Sequence, residues 1–262
     1  RPLDRSFLPA GRLQMTQQWD DDTDLICVGS GLGGLAAAVA GAEAGLRVTV
    51  LEKSERVGGT TTWSYGIVWV GASHLAHARG IEDSAEETRA YLDYLGGGKN
   101  DPEVTASFVE HAPKALHFFE QVARVPFYVV DALPDHYYPL GDGSKPRGRN
   151  HQVRPFAAGS LGPWQSRLEL TPYGHGRVTF EEMAQWGGRA GYRQWDHAVI
   201  AEREARDIRT FGGALAGHFL KAALDRGISI RPETRVCRLI VENGRVVGVE
   251  VEAPGGTAAI RA

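Results

Sequence analysis

Short β-branched runs and apolar stripes at helical spacing take turns along this chain, the pattern of strands interleaved with helices. Residues 24–28 are a short apolar run. Residues 35–44 read as an alanine-rich helix stopped by Gly45, and residues 47–51 as a second β-branched run. Ser84 and Glu87 form a capping box that opens the next helix. Tyr91, Leu92 and Leu95 make its apolar stripe, and Gly96 to Gly98 end it. Asp101-Pro102 starts a further helix with proline at its first position. Val104, Phe108, Ala112, Ala115, Phe118 and Phe119 follow near helical spacing and are expected in the core. Residues 125–130 read as a strand, and residues 208–224 as a helix with Gly212-Gly213 near its start. Strands at 228–230, 233–241, 246–252 and 258–262 follow, with turns at 242–245 and 255–256. The order predicts an α/β fold in which a parallel sheet with helices is joined by a β-meander.

The first strand runs directly into Gly29-Ser30-Gly31-Leu32-Gly33-Gly34, and the second ends on Glu52. Strand, glycine turn, helix, strand, acid is the Rossmann-like dinucleotide-binding fingerprint, more specific than the glycines alone. Gly29 permits the tight turn, Gly31 lets backbone approach a pyrophosphate, and Gly34 lets helix and strand pack closely. The pyrophosphate is expected at the helix N-terminus, where free N–H groups and the helix dipole favour negative charge. Glu52 is suited to accept hydrogen bonds from ribose hydroxyls. The plainer alternative is a glycine-rich turn that binds nothing. Behind Glu52, the loop Gly58-Gly59-Thr60-Thr61-Thr62 suits a polar ligand, and Trp63 with residues 67–70 adds apolar surface for a large flat one.

Composition narrows the classes further. Hydrophobic residues are 42% and charged residues 23% of the 262 residues, and the net charge is −3. That balance points away from nucleic acid and from anionic membrane surfaces. No apolar run reaches the roughly 18 residues that span a bilayer. Cys27 and Cys237 both fall in predicted strands and read as buried thiols of a reducing, cytoplasmic compartment. No Cys/His spacing resembles a metal site, and His74 and His77 read as ordinary packing histidines. Residues 1–22 are expected to be a leader or a disordered N-terminus, with Met15 a candidate start.

Gly29 to Gly34, Glu52-Lys53 and Arg56-x-Gly58-Gly59-Thr60-Thr61 resemble the flavoprotein family of fumarate reductases and 3-ketosteroid dehydrogenases. The resemblance implies FAD as cofactor and an FAD-binding domain over residues 23–262. It implies that Gly29, Ser30, Gly31, Gly33 and Gly34 hold the pyrophosphate, and that Glu52 and Lys53 hold the adenosine ribose. Gly59, Thr60, Thr61 and Ser64 would lie along the ribityl chain and the isoalloxazine edge, and Val236 would meet the adenine through its backbone. Tyr65 departs from the family, which carries glycine after that serine.

The segment Leu133-Pro134-Asp135-His136-Tyr137-Tyr138-Pro139 is similar to the family's Pro-Asp-Tyr-Tyr, which places a tyrosine over the substrate. Matching the tyrosine pair gives Tyr137 that role, with His136 inserted; matching on Pro-Asp gives it to His136. An aromatic clamp in a surface loop is the plainer reading. Residues 133–200 are expected to be an excursion on the substrate side. Lys145, Arg147, Arg149 and Arg154 read either as a solvated loop face or as a collar for an anionic substrate.

The implied activity is desaturation of the carbon–carbon bond beside a ketone, in a small hydrophobic substrate such as a 3-ketosteroid. The alternatives are reduction of an activated alkene, of the fumarate or urocanate type, and a non-catalytic FAD-holding subunit. The resemblance covers about the first half of a family member, so the FAD-binding fold is expected to be incomplete in this chain. It implies that a second polypeptide completes the FAD and substrate sites.

Overall fold

The computed structural model describes residues 18–171 and 176–262. The parts that build the cleft come first. Strand β1 (Asp21–Asp22) leads into β2 (Leu25–Val28), α1 (Leu32–Glu43) and β3 (Val48–Leu51), then, after a 3-10 turn at Gly59–Trp63, β4 (Val68–Trp69). Three helices follow: α2 (His74–His77), α3 (Ala85–Gly96) and α4 (Pro102–Gln121). Strands β5 (Phe127–Val129), β6 (Asn150–Val153) and β7 (Phe156–Ala157) precede α5 (Phe180–Gln185) and α6 (His197–Ala205). The chain closes with β8 (Ile208–Arg209), α7 (Phe211–Asp225), β9 (Ser229–Arg231), β10 (Arg235–Glu242), β11 (Arg245–Ala253) and β12 (Gly256–Arg261).

Strands β2, β3 and β9 form the parallel sheet, with Leu25 opposite Val48 and Thr49 opposite Ser229. Successive strand side chains point to opposite faces, so each face buries its own set. Cys27, Val48, Val50 and Ile230 face α1 and α7 through Leu35, Ala38, Val39, Leu215 and Phe219. Ile26 and Leu51 face the meander through Val249, Val251 and Ile260. The result is a layer of helices, a parallel sheet and a mixed sheet β1-β12-β11-β10, in which β1 joins β12 in parallel and the β10–β12 meander is antiparallel. The α/β fold with its meander is therefore as expected, and the hairpin at 242–245 pairs Glu242 with Arg245.

Local signals hold where they are self-contained. Ser84 and Glu87 form the reciprocal capping box of α3, and Asp101 caps α4 with Pro102 at its first position. Expectations that ignored distant partners are corrected. The helix expected from 208 begins at Phe211, because Ile208–Arg209 pairs with β7. Gly212 sits in its first turn with the place of a Cβ 1.8 Å from the Thr61 carbonyl, so this glycine serves close packing against the Gly59–Trp63 turn. The leader expected over 1–22 is corrected at its inner end. Asp21 pairs with Ile260 and Asp22 with Arg261, and the Asp20 N–H donates to the Ala259 carbonyl. Residues 1–17, with Met15, lie outside the described residues.

Cys27 is buried, whereas Cys237 is exposed on β10, most of whose residues are exposed. The α4 stripe is only partly core. Ala112, Leu116 and Phe119 pack inward, while Val104 is 65% and Phe108 43% exposed. With Trp69, Val68 and Leu32 they line an open apolar groove of about 710 Å³. The 133–200 excursion carries a small core of its own in which Val178, Met183 and Trp195 meet Phe211, with Tyr65 against it. Residues 172–175 of the excursion lie outside the described residues. Among the described residues, no helix is long and apolar enough to cross a membrane.

Candidate functional site

The end of the parallel sheet opens into a cleft of about 700 Å³, within the roughly 300–1,000 Å³ of cofactor pockets. Gly29 turns out of β2 at φ +89°, a conformation that side chains resist, and its N–H donates to the Leu51 carbonyl. A Cβ at Gly34 would lie 1.9 Å from the Gly29 carbonyl oxygen, so α1 leaves the turn at contact distance. Gly31 is the N-cap of α1 and offers no capping side chain. Thr61 reaches in from the following loop, and its Oγ1 accepts from the Leu32 N–H at 2.9 Å.

Glu52 is buried at the mouth of β3. Its Oε2 accepts from the Ser30 hydroxyl at 2.6 Å and the Ser30 N–H at 2.9 Å, and its Oε1 accepts from the Ser54 N–H at 2.9 Å. The Ser54 hydroxyl also reaches this carboxylate. Burial pushes this carboxyl up. The bonds from Ser30 and Ser54 outweigh that and hold it below the ordinary carboxylate range, so it is ionised at neutral pH.

The expected cofactor residues divide into two groups. Gly29, Gly31, Glu52, Lys53, Gly59, Thr60 and Val236 line the cleft. Ser30 lies beneath it, fully buried, donating to Glu52 and accepting from the Gly58 N–H at 2.9 Å. Gly34 and Thr61 shape the wall from behind, and Gly33 is exposed in the first turn of α1. Ser64 is exposed just past the 3-10 turn, where its hydroxyl donates to the Thr61 carbonyl and accepts from the Gly66 N–H. Trp63 also lines the cleft, as its apolar surface behind the glycine loop suggested, and so do Arg56, Glu169 and Thr234, which were given no cofactor role. Arg56 stands inside the recognised loop motif and was within reach of sequence reasoning. Glu169 arrives from the excursion through the Val57–Leu168 bridge, which no local pattern announces.

Tyr65 does not intrude on the cleft. Its ring packs edge-on against Phe211 and Phe180, at 5.0 and 6.3 Å between centroids, and holds the excursion down.

The Tyr137 loop is tied to β4, the strand that follows the 3-10 turn. Trp69 Nε1–H donates to Asp135 Oδ1 at 2.8 Å. The Tyr137 N–H donates to the Tyr91 hydroxyl at 3.2 Å, while the Tyr137 side chain is 51% exposed. His136 lies edge-on to Tyr137 at 5.6 Å and is also exposed.

The collar reading of the basic loop is corrected at Arg149 and Lys145. Arg149 is fully buried and paired with Asp83 at 2.6 Å and Asp135 at 2.9 Å. Lys145 is paired with Glu87 at 2.7 Å, and Arg154 lies over the Tyr128 ring. Two of the four cations, Lys145 and Arg149, are thus neutralised by acids within the protein, while Arg147 and Arg154 are exposed. Among the described residues, no group of three or more His, Cys, Asp or Glu is placed to hold a metal.

The α1 N-terminus, whose N-cap Gly31 brings no side chain, the glycine-lined floor and the Glu52 carboxylate at the cleft fit a pyrophosphate joined to a ribose. Comparison with known proteins agrees. The profile of the FAD binding domain family matches residues 24–262. A 4-oxocyclohexanecarboxylate 2-dehydrogenase of Sinomonas cyclohexanicum is 32% identical over 235 residues, covering 86% of this chain and 40% of that protein. A 3-oxosteroid 1-dehydrogenase of Mycobacterium tuberculosis is 31% identical over 241 residues, covering 87% and 42%. The 3-ketosteroid Δ1-dehydrogenase of Sterolibacterium denitrificans, solved in complex with 1,4-androstadiene-3,17-dione, superposes with a TM-score of 0.82 at 28% identity, covering 92% and 46%. The chain therefore spans about two-fifths of the length of these curated relatives. The chain belongs to the FAD binding domain family, and its cofactor is FAD.

Proposed function

We propose that this chain is the cofactor-holding part of an oxidoreductase that desaturates the carbon–carbon bond next to a ketone in a hydrophobic substrate such as a 3-ketosteroid. Its similarity to dehydrogenases of a 3-oxosteroid and of an oxocyclohexanecarboxylate supports this reading. The observation that carries it here is the Trp69–Asp135 hydrogen bond, which joins the strand following the cleft wall to the loop bearing Tyr137.

Gly29 and Gly31 leave room for the pyrophosphate at the α1 N-terminus, and the Glu52 carboxylate takes a ribose hydroxyl. Lys53 lies beside that ribose, and the Val236 backbone meets the adenine. Gly59, Thr60, Thr61 and Ser64 follow the ribityl chain towards the isoalloxazine edge. Gly34 and Ser30 act from beneath, one by packing and one by orienting Glu52, and Gly33 lies beside the pyrophosphate. Bound FAD supplies the two-electron acceptor for the hydrogen lost from the β-carbon. Tyr137 presents its phenol to the substrate and assists proton movement beside the ketone.

The same reading includes a second polypeptide that completes the flavin and substrate sites, supported by the apolar groove along α4. It also includes a cytoplasmic location, supported by two unpaired thiols.

Anaerobic addition of a 3-ketosteroid to the yellow holoprotein tests the chemistry. The oxidised flavin band is expected to bleach. No bleaching, together with oxidation of the reduced flavin by fumarate, overturns the reading. Gel filtration with mass spectrometry tests the partner: a stable FAD-loaded monomer of these 262 residues that bleaches with ketone removes the need for one.

A further inference from the structure

We infer that Tyr91 and the buried Asp83–Arg149–Asp135 cluster are positioning residues that hold the Tyr137 main chain while leaving its side chain free, an inference that rests on the role proposed for Tyr137. The cluster is fully formed inside the protein. Arg149 directs Nε and Nη2 at the two oxygens of Asp83, at 2.8 and 2.6 Å, and Nη1 at Asp135 Oδ2, at 2.9 Å. Its guanidinium lies 5.5 Å from the Trp69 ring centroid and 5.6 Å from that of Tyr91.

One cation against two carboxylates leaves an excess negative charge in a dry place. Polar hydrogens absorb it. Asp83 accepts from the N–H groups of Ala72 and Ser84, and Asp135 from the Lys145 N–H and the Trp69 indole. Every carboxylate oxygen therefore has donors, and the geometry is over-determined.

Such a cluster is a poor source of net stability, because desolvating the charges cancels much of their attraction. What it provides is a fixed geometry. It joins three stretches far apart in sequence: residues 69–72 after the cleft wall, residues 83–91 around α3, and residues 135–149. Within the last of these, the two anchors bracket Tyr137. Asp135 is held by its carboxylate and accepts through its carbonyl from the Tyr138 N–H, while the Tyr91 hydroxyl accepts from the Tyr137 N–H. A main chain clamped on both sides of an exposed side chain is the arrangement that a reacting group needs, since a displacement of about 1 Å costs on the order of 100-fold in rate. Lysine cannot replace Arg149, because it lacks the planar fork that serves two acids at once.

A double-mutant cycle in the complete holoenzyme tests this. Turnover of a 3-ketosteroid is expected to fall about 100-fold in Arg149→Lys and about tenfold in Tyr91→Phe, with KM and FAD affinity within about twofold of the parent. In a Tyr137→Phe background, the same two changes are expected to cost nothing further, because the group they position is gone. Amide hydrogen exchange over 135–140 is expected to quicken at least about tenfold in both variants, with the FAD cleft unchanged. Losses that simply add to that of Tyr137→Phe, or unchanged exchange, overturn the inference. If Arg149→Lys does not fold, Tyr91→Phe, which removes a single oxygen, decides the matter alone. A parent enzyme that turns over no ketone overturns the proposed activity but not the clamp, which the exchange measurement then confirms or refutes independently.

Discussion

The FAD cleft and the Tyr137 loop are made in opposite ways. The floor of the cleft is built largely from main chain and small residues close together in sequence, at 29–34 and 52–60, with Glu169 and residues 234–236 joining from far along the chain. Its conformation follows from local sterics: a positive φ at Gly29, a helix start at Gly31 and a contact at Gly34 that admits no Cβ. The Tyr137 loop is held by long side chains that meet across the fold. Trp69 and Asp135 are 66 residues apart, and so are Asp83 and Arg149. Main-chain recognition leaves a short motif in the sequence. A buried ion cluster leaves only scattered charged residues, which look like any solvated loop until the fold brings them together.

The sharpest way to break this comparison is to remove the cation. Arg149→Met leaves Asp83 and Asp135 buried without their partner and is expected to cost about 3–5 kcal/mol of folding stability. Denaturant melts of this variant against the parent measure it. A cost below about 1 kcal/mol would mean that water enters the cluster and that the loop is as locally determined as the cleft.

The neighbouring histidine gives a pH-dependent counterpart. His151 is fully buried, with Nε2 at 2.8 Å from the Ser73 hydroxyl and Nδ1 facing the carbonyls of Arg149 and Val68. Two carbonyls at Nδ1 require its N–H there, leaving Nε2 to accept from Ser73. Burial pushes its pKa down to about 4 from 6.5, with His74 adding to the effect. The unfolded chain therefore binds a proton first as pH falls. The stability from neutral His151 is complete above about 6.5 and drains away between about 6.5 and 4, by about 3 kcal/mol. Stability measured across that window is expected to fall in the parent and to flatten in His151→Gln. An equal slope in both would assign the acid sensitivity elsewhere.

In the cleft, two glycines separate packing from ligand space. Gly34→Ala is expected to destabilise the fold by about 3 kcal/mol, since the 1.9 Å clash is with backbone that cannot swing aside. Gly31→Ala meets only Thr61 Oγ1, at an ordinary 3.6 Å, so its melt is expected to shift by less than about 0.5 kcal/mol. Its methyl group would still occupy the cleft floor, and FAD affinity measured by flavin fluorescence is expected to fall at least about tenfold. Full FAD affinity in Gly31→Ala would show that the turn is held for folding alone.

The same division explains what was readable beforehand. The capping box at Ser84 and Glu87, the Asp101-Pro102 start and the hairpin at 242–245 came out as expected, because each is settled within a few residues. Ile208–Arg209 did not, because its strand state depends on β7, some fifty residues earlier. Asp21 and Asp22 were assigned to a leader because their partner strand lies at the other end of the chain. Val104 and Phe108 have the spacing of core residues, yet periodicity records only which side of a helix is apolar, not what covers it.

The amino-acid sequence by itself determined the βαβ unit, the glycine turn and the acid at its end, because strand period, helix period and the lack of a Cβ act over a few residues. Tertiary structure alone decided that Ser30 serves Glu52 from below, that Glu169 joins the cleft, and that Arg149 turns inward to two acids. Those outcomes depend on which distant groups share a buried space, where an unpaired charge is costly and a paired one is held in place.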